Sequence, residues 1–164
     1  MGNFELVMSD PLTPEQRRKC MQSIRGRATK PEMLVRRWLW SHGYRYRLNV
    51  KSVPGKADIV MRRYRTAIFV NGCFWHGHGA VVENGELTSM EESCFKMPKS
   101  NIGFWSRKII RNKERDSQNY KVLHDNGWQV IVIWECQLKP AMIDETMRGV
   151  EVLLNRNFLS LFKK

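Results

Sequence analysis

The most constraining feature of this chain is a short run that closes a strand-like segment. Thr66, Ala67, Ile68, Phe69 and Val70 form a stretch of strand length and composition, and Asn71-Gly72 ends it. The residues that follow, Cys73-Phe74-Trp75-His76-Gly77-His78, bring a thiol, two imidazoles and two large aromatics together. Polar chemistry at a strand end is held by a rigid scaffold, as a site requires. The run is a candidate meeting point for a metal site, a catalytic histidine and a nucleic-acid-facing wedge. Other functional residues must converge on it in space.

A chain of 164 residues with 42 % apolar content builds one domain with a sizeable core. Its 28 Lys and Arg outnumber 16 Asp and Glu, for a net charge of +12. Such an excess points to a polyanion, because phosphates supply much of the binding free energy of basic proteins. The six Trp suit stacking on bases. No apolar run reaches the ~20 residues of a membrane span. With no signal-like N-terminus, a cytoplasmic protein without membrane contact is expected. The cysteines are Cys20, Cys73, Cys94 and Cys136. In a basic chain without a signal peptide, thiols near histidines point to metal rather than to disulfides.

Residues 1–12 show no useful period and read as a flexible N-terminus. Thr13-Pro14-Glu15-Gln16 is a helix start with a capping box, and the short helix carries Arg17, Arg18, Lys19 and Met21. Arg25-Gly26-Arg27 breaks it. Residues 13–28 therefore read as a basic arm that clamps phosphates. Residues 29–157 form the main domain and residues 158–164 a tail. Thr29-Lys30-Pro31-Glu32 opens a second helix, which Gly43 stops. Tyr44-Arg45-Tyr46-Arg47-Leu48 alternates like a strand. Residues 57–61 and 66–70 form a predicted antiparallel hairpin, whose turn brings Asp58 near Phe69 or Val70. Residues 79–92 are acidic and weakly patterned, and read as a surface excursion. A long helix is predicted over 104–126, a buried inner strand over 129–134 and a terminal helix over 141–155. The order α-α-β-β-β-α-β-α gives an α/β fold, a mixed central sheet flanked by helices.

Cys73, His78, Cys94 and Cys136 offer three thiolates and one imidazole, a closed set suited to structural Zn2+. Asp58 precedes the apolar Ile59-Val60-Met61, where a carboxylate needs a partner or a cation. With the Val70 carbonyl opposite, it is a candidate Mg2+ ligand of the kind phosphodiester hydrolysis uses. His76 suits a general base at neutral pH. It also fits a Cys73-x-x-His76 zinc pair, and spacing does not choose between the two. On the long helix, Trp105, Ile109, Asn112, Asp116 and Leu123 share one face. Asn112 and Asp116 there need polar partners, such as a histidine or a metal-bound water. Glu32 either completes its capping box or reaches the metal-bound water. Phe74, Trp75 and Trp105 are candidate wedges between base steps, and Met21 a wedge from the opposite groove.

Four motifs carry a resemblance. They are Pro54-Gly55-x-x-Asp58-Ile59-Val60, Gly72-Cys73-Phe74-Trp75-His76-x-His78, Asn112-x-Glu114-Arg115-Asp116 and Trp134-Glu135-Cys136. In this order they resemble the very short patch repair endonucleases of bacteria, over residues 13–138. The resemblance implies a fold similar to type II restriction endonucleases. It implies a monomeric, nucleoid-associated enzyme that nicks double-stranded DNA 5′ of the thymine at T:G mismatches left by 5-methylcytosine deamination. A repair polymerase and mismatch-repair proteins are the implied partners. By position, Asp58 and Val70 match the magnesium site and His76 the base. Glu32, Asn112 and Asp116 match residues that support them. Cys73, His78, Cys94 and Cys136 match the zinc ligands. Phe74, Trp75, Trp105 and Met21 match the wedges. Asn71 stands where family members often carry a further histidine, and the gap from His78 to Cys94 exceeds that of the family's compact motif.

Two other readings compete. One is a restriction-type nuclease of the same fold, and the other a non-catalytic zinc-stabilised DNA-binding module. Asp58 argues against the second, since a pure binder has no reason to face phosphates with a carboxylate.

Overall fold

The structure, a computed structural model, describes residues 13, 15–16, 18–19, 28–89 and 93–162. Residues 1–12, Arg17, Cys20, Met21, Arg25 and Arg27 lie outside the described set. Arg18 and Lys19 of the expected basic arm are exposed. Its capping box is formed, with the Thr13 N–H donating to Gln16 Oε1 at 2.9 Å and the Gln16 N–H to Thr13 Oγ1 at 3.2 Å.

The main body is a small mixed sheet between helices. Helix α1 spans Lys30–Ser41, strand β1 Ile59–Met61 and strand β2 Thr66–Asn71. Strands β3 (Ala80–Glu83) and β4 (Glu86–Ser89) follow, then helix α2, Ile102–Asp125. Strand β5 spans Gln129–Trp134 and helix α3 Ile143–Ser160. The sheet order is β1-β2-β5. β1 runs antiparallel to β2 with Ile59 opposite Ile68, and β5 runs parallel to β2 with Asn71 opposite Trp134.

Side-chain alternation along the strands assigns each face to different helices. Ile59, Met61, Ile68, Ile131 and Ile133 pack with Val35 and Leu39 of α1 and Met147, Val150 and Leu154 of α3. Val60, Ala67 and Phe69 face the other way and pack on Leu123 and Tyr120 of α2. Both faces are covered, which is why β5 is apolar on both sides. β5 is nevertheless an edge strand, not the expected inner one; β2 is central. α2 ends where Gly127 adopts φ +71°, and Arg65 of the β1–β2 turn donates to the carbonyls of Asn126 and Gly127 at 2.8 and 2.9 Å. A guanidinium there satisfies the helix end and suits its partial negative charge.

Two further expectations need correction. Tyr44-Arg45-Tyr46-Arg47-Leu48 is not a strand. Only Arg47 pairs, as an isolated bridge to Val60, because β1 is too short to support more. The acidic excursion is a hairpin of β3 and β4. Asn84 and Gly85 both have positive φ, 50° and 79°, as a type I′ turn demands. Among the described residues, no helix is long and apolar enough to cross a membrane.

Since β2 carries both cores, Ile68→Ala should lower unfolding free energy by about 3 kcal/mol, from lost burial plus a cavity. Chemical denaturation checks this, and an unchanged midpoint would remove β2 from the centre of the fold.

Candidate active site and metal centre

β2 delivers its last residues to a tight loop. The His78 N–H donates to the Cys73 carbonyl at 2.9 Å and the His76 N–H to the Gly72 carbonyl at 3.2 Å. Gly77, at φ +59°, lies against α2, and a Cβ there would stand 2.7 Å from Ile109 Cγ2. No larger residue fits this approach. From α2, Asn112 Nδ2 donates to the Trp75 carbonyl at 2.8 Å and Lys113 Nζ to the Gly77 carbonyl at 3.1 Å. The loop is thereby fastened to the helix, and its two imidazoles point to different neighbours.

His78 turns toward the cysteines. Its Nδ1 is 3.7 Å from Cys73 Sγ and 3.4 Å from Cys136 Sγ, and its ring stacks on Trp134 with centroids 4.1 Å apart. The ligand atoms of Cys73, His78, Cys94 and Cys136 all lie within 4.8 Å of one another. Tetrahedral thiolate and imidazole ligands around Zn2+ stand roughly 3.5–3.8 Å apart, so the set fits such an ion. Burial pushes the Cys73 thiol up, and pushes Cys136 up to about 12, with the neighbouring thiols adding to the shift. Burial, with Lys113 adding, pulls His78 down. These shifts keep the imidazole neutral, and a bound cation supplies the charge that turns the thiols into thiolates. Ser93 fastens the segment carrying Cys94, donating to the His78 carbonyl at 2.6 Å.

His76 turns the other way. Its Nδ1 sits 2.5 Å from Asp116 Oδ2, and Arg115 Nη2 donates to Asp116 Oδ1 at 3.1 Å. The geometry therefore separates the two roles that spacing left open for His76: it is absent from the metal cluster. Burial alone would raise Asp116, but His76 and Arg115 outweigh it and hold its carboxyl below the ordinary range.

A cleft of 870 Å³ opens beside His76. It is lined by Glu32, Asp58, Val70, Asn71, His76 and Asp116, with Trp75, Lys56, Lys108 and Arg115 at its walls. Asp58 Oδ2 accepts from the Val70 N–H at 2.8 Å, the partner anticipated from the hairpin. Burial pushes Asp58 up, with Glu32 adding to the rise. Asp58 lies in a bend before β1, not within the strand.

Glu32 is only 5 % exposed and completes its capping box. It accepts from the Ala28 N–H at 2.9 Å and from Thr29 Oγ1 at 3.1 Å, closing the helix start. It also faces the cleft, paired with Arg36 Nη2 at 2.8 Å. Asn112 is the exception among the candidates, since its amide secures the wedge loop and does not line the cleft.

Above the cleft, Phe74, Trp75 and Trp105 form one aromatic group. Phe74 lies 5.2 Å from Trp75 and 5.1 Å from Trp105, centroid to centroid. Phe95, with Phe74 stacked 5.8 Å away, braces it from below. Lys108 Nζ sits 5.1 and 5.2 Å from the centroids of Trp75 and Trp105. Sequence reasoning missed Arg36 and Lys108, which meet Glu32 and Trp105 along their own helices, and Tyr120, whose contact with Asn71 joins helix to sheet. Phe104, 53 % exposed and edge-on to Trp105, was also missed, although it adjoins a singled-out tryptophan.

Comparison with known proteins comes from two directions. The family profile described as DNA mismatch endonuclease Vsr matches residues 9–81. The type II nicking enzyme V.XorIIP of Xanthomonas oryzae pv. oryzae is 45 % identical over 131 residues, covering 80 % of this chain and 88 % of that protein. The type II nicking enzyme V.NmeAIP of Neisseria meningitidis is also 45 % identical, over 80 % of this chain and 86 % of its own. The DNA mismatch endonuclease Vsr of Escherichia coli is 35 % identical, over 80 % of this chain and 77 % of its own.

Two outcomes check the site. Cys136→Ser, or treatment with a strong chelator, should lower both metal content and melting temperature; unchanged values would take Cys136 out of the centre. The second concerns acid. Asp116 has a depressed folded pKa, so its contribution to stability is present above the unfolded value of about 3.9 and is lost as pH falls through the lower folded one. Asp116→Asn should therefore lose less stability than wild type from about pH 5 downward. Identical acid limbs would show that the contacts of Asp116 do not stabilise the fold.

Proposed function

Because the chain belongs to the Vsr family of DNA mismatch endonucleases, we propose that it nicks one strand of duplex DNA 5′ of the thymine in T:G mismatches arising from 5-methylcytosine deamination. The similarity to the type II nicking enzymes V.XorIIP and V.NmeAIP supports strand nicking as the reaction. The single observation that carries the reading is one cleft. It joins two carboxylates, the buried Glu32 and the half-buried Asp58, to a carboxylate-held histidine beside Trp75 of the aromatic group.

The chemistry follows from these contacts. Asp58 and the Val70 carbonyl would hold Mg2+, which neutralises charge developing on the phosphate and polarises a water. Asp116 occupies His76 Nδ1, which leaves Nε2 to take the proton of the attacking water. Asp116 fixes the tautomer and stabilises the imidazolium that forms, as the carboxylate of a catalytic triad does. Glu32, fixed by Arg36, would orient a water in the cleft beside Asp58. Lys56, Lys108 and Arg115 attract the strand. Phe74, Trp75 and Trp105, with Met21 from the other groove, open the stack at the mismatch, where unpairing costs least. Arg17, Arg18, Lys19, Arg25 and Arg27 clamp the backbone. Zn2+ on Cys73, His78, Cys94 and Cys136 is structural, since four protein ligands leave no open position. The sheet with helices on both faces suits a restriction-endonuclease-like fold.

The restriction-type alternative predicts cleavage of matched DNA. With magnesium and duplexes differing only in T:G against C:G, the protein should nick the T:G duplex alone, on the 5′ side of the thymine. Asp58→Ala should slow nicking by at least about 1000-fold while mismatch binding survives. Equal cleavage of both duplexes would favour the restriction reading, and persistent nicking by Asp58→Ala would remove Asp58 from the metal site.

A further inference from the structure

One polar residue lining the cleft, and the tyrosine behind it, have no part in the mechanism above. Asn71, the last residue of β2, is 4 % exposed and lines the cleft with Asp58, His76 and Asp116. Its Nδ2 donates to the Tyr120 hydroxyl at 3.0 Å. Tyr120 lies one helical turn beyond Asp116 on α2, and its ring meets Phe69 edge-on at 4.9 Å. Phe69 and Asn71 sit two apart on β2 and so present the same face to α2. The hydroxyl is therefore fixed in place from both ends of the tyrosine.

The hydrogen-bond inventory of this pair is incomplete. Among the described residues, neither the Tyr120 O–H proton nor the second N–H of Asn71 has an acceptor within hydrogen-bonding distance. Donors without acceptors are costly in a partly buried site, and ligands commonly complete them. Beside the cations Lys56, Lys108 and Arg115, the cleft carries four carboxylates, Asp58, Glu32, Asp116 and Glu135. Those groups repel a phosphodiester. A neutral donor among them can hold a phosphate oxygen without drawing the catalytic carboxylates into ion pairs.

We propose, resting on the nicking reading above, that Asn71 binds a non-bridging oxygen of the scissile phosphate through its side-chain N–H, and that Tyr120 is the positioning residue that orients the Asn71 amide. The amide is uncharged over the working pH range, so this contact has no titration of its own. It works by pre-placing a donor where negative charge grows in the transition state.

The test compares wild type with Asn71→Ala, Asn71→Asp and Tyr120→Phe. It measures single-turnover nicking of a T:G duplex, metal-free affinity for that duplex, and melting temperature. Asn71→Ala should slow nicking by about 100-fold, the usual effect of deleting one such donor. Asn71→Asp should be slower still, because its carboxylate faces the phosphate. Tyr120→Phe should slow nicking about tenfold, at near wild-type affinity and melting temperature. A further readout separates this from a structural role. Each diastereomer of a phosphorothioate at the scissile position is nicked by wild type and by Tyr120→Phe. One diastereomer should show a thio effect in wild type that shrinks in the variant. Equal thio effects in both proteins, or an Asn71→Asp variant faster than Asn71→Ala, would overturn the proposal and leave the nicking reading standing. A wild-type protein that does not nick T:G DNA would overturn the nicking reading and this proposal with it.

Discussion

The arrangement of the site depends on the cluster of Cys73, His78, Cys94 and Cys136. It gathers the loop after β2, the segment after the β3–β4 hairpin and the turn after β5 at one point. The third core cluster beneath them is small, with Ala80, Phe95 and Ile109 as its buried members. Burial opposes ionisation of Cys73 and Cys136, so the cluster reaches its low-energy thiolate form only with a cation present. An ion there would tie the three segments together at one point.

That cluster decides what His76 does. His76 and His78 are separated only by Gly77, whose positive φ reverses the chain between them. Holding His78 at the sulfurs leaves His76 on the far side, against Asp116 of α2. The same constraint sets Phe74 and Trp75 beside Trp105, because the loop lies on α2 through Asn112 and Lys113. β2 closes the arrangement from below. It is the central strand, so its end cannot shift without disturbing both cores, and its Val70 N–H holds Asp58. Asp58, His76 and the rings of Phe74, Trp75 and Trp105 are thus positioned by one strand, one helix and the Cys/His cluster.

Much of this was legible because it is local. The Thr29 and Glu32 capping signal, the strand ahead of Asn71-Gly72, the helix stop at Gly127 and the Asp58–Val70 contact all follow from spacing. The β3–β4 hairpin was also local. Asn84-Gly85 is a strong turn signal, masked by acidic residues and a short apolar pattern. The strand read into Tyr44-Arg45-Tyr46-Arg47-Leu48 failed for the opposite reason. Its alternation is real, but those aromatics pack on helices, Tyr44 against Trp38 and Tyr64 and Tyr46 against Trp40. Arg36 on Glu32 and Tyr120 on Asn71 were not legible. The first is an i,i+4 contact on α1 hidden behind the capping-box role read for Glu32, and the second crosses from sheet to helix with no pattern to announce it.

The division of labour between the two imidazoles is the central claim, and X-ray absorption at the zinc edge tests it most directly. The account predicts three sulfurs at about 2.3 Å and one imidazole nitrogen at about 2.0 Å, with the same shell in wild type and in His76→Ala. A second imidazole in the wild-type shell, lost in His76→Ala, would place His76 on the metal and contradict the account.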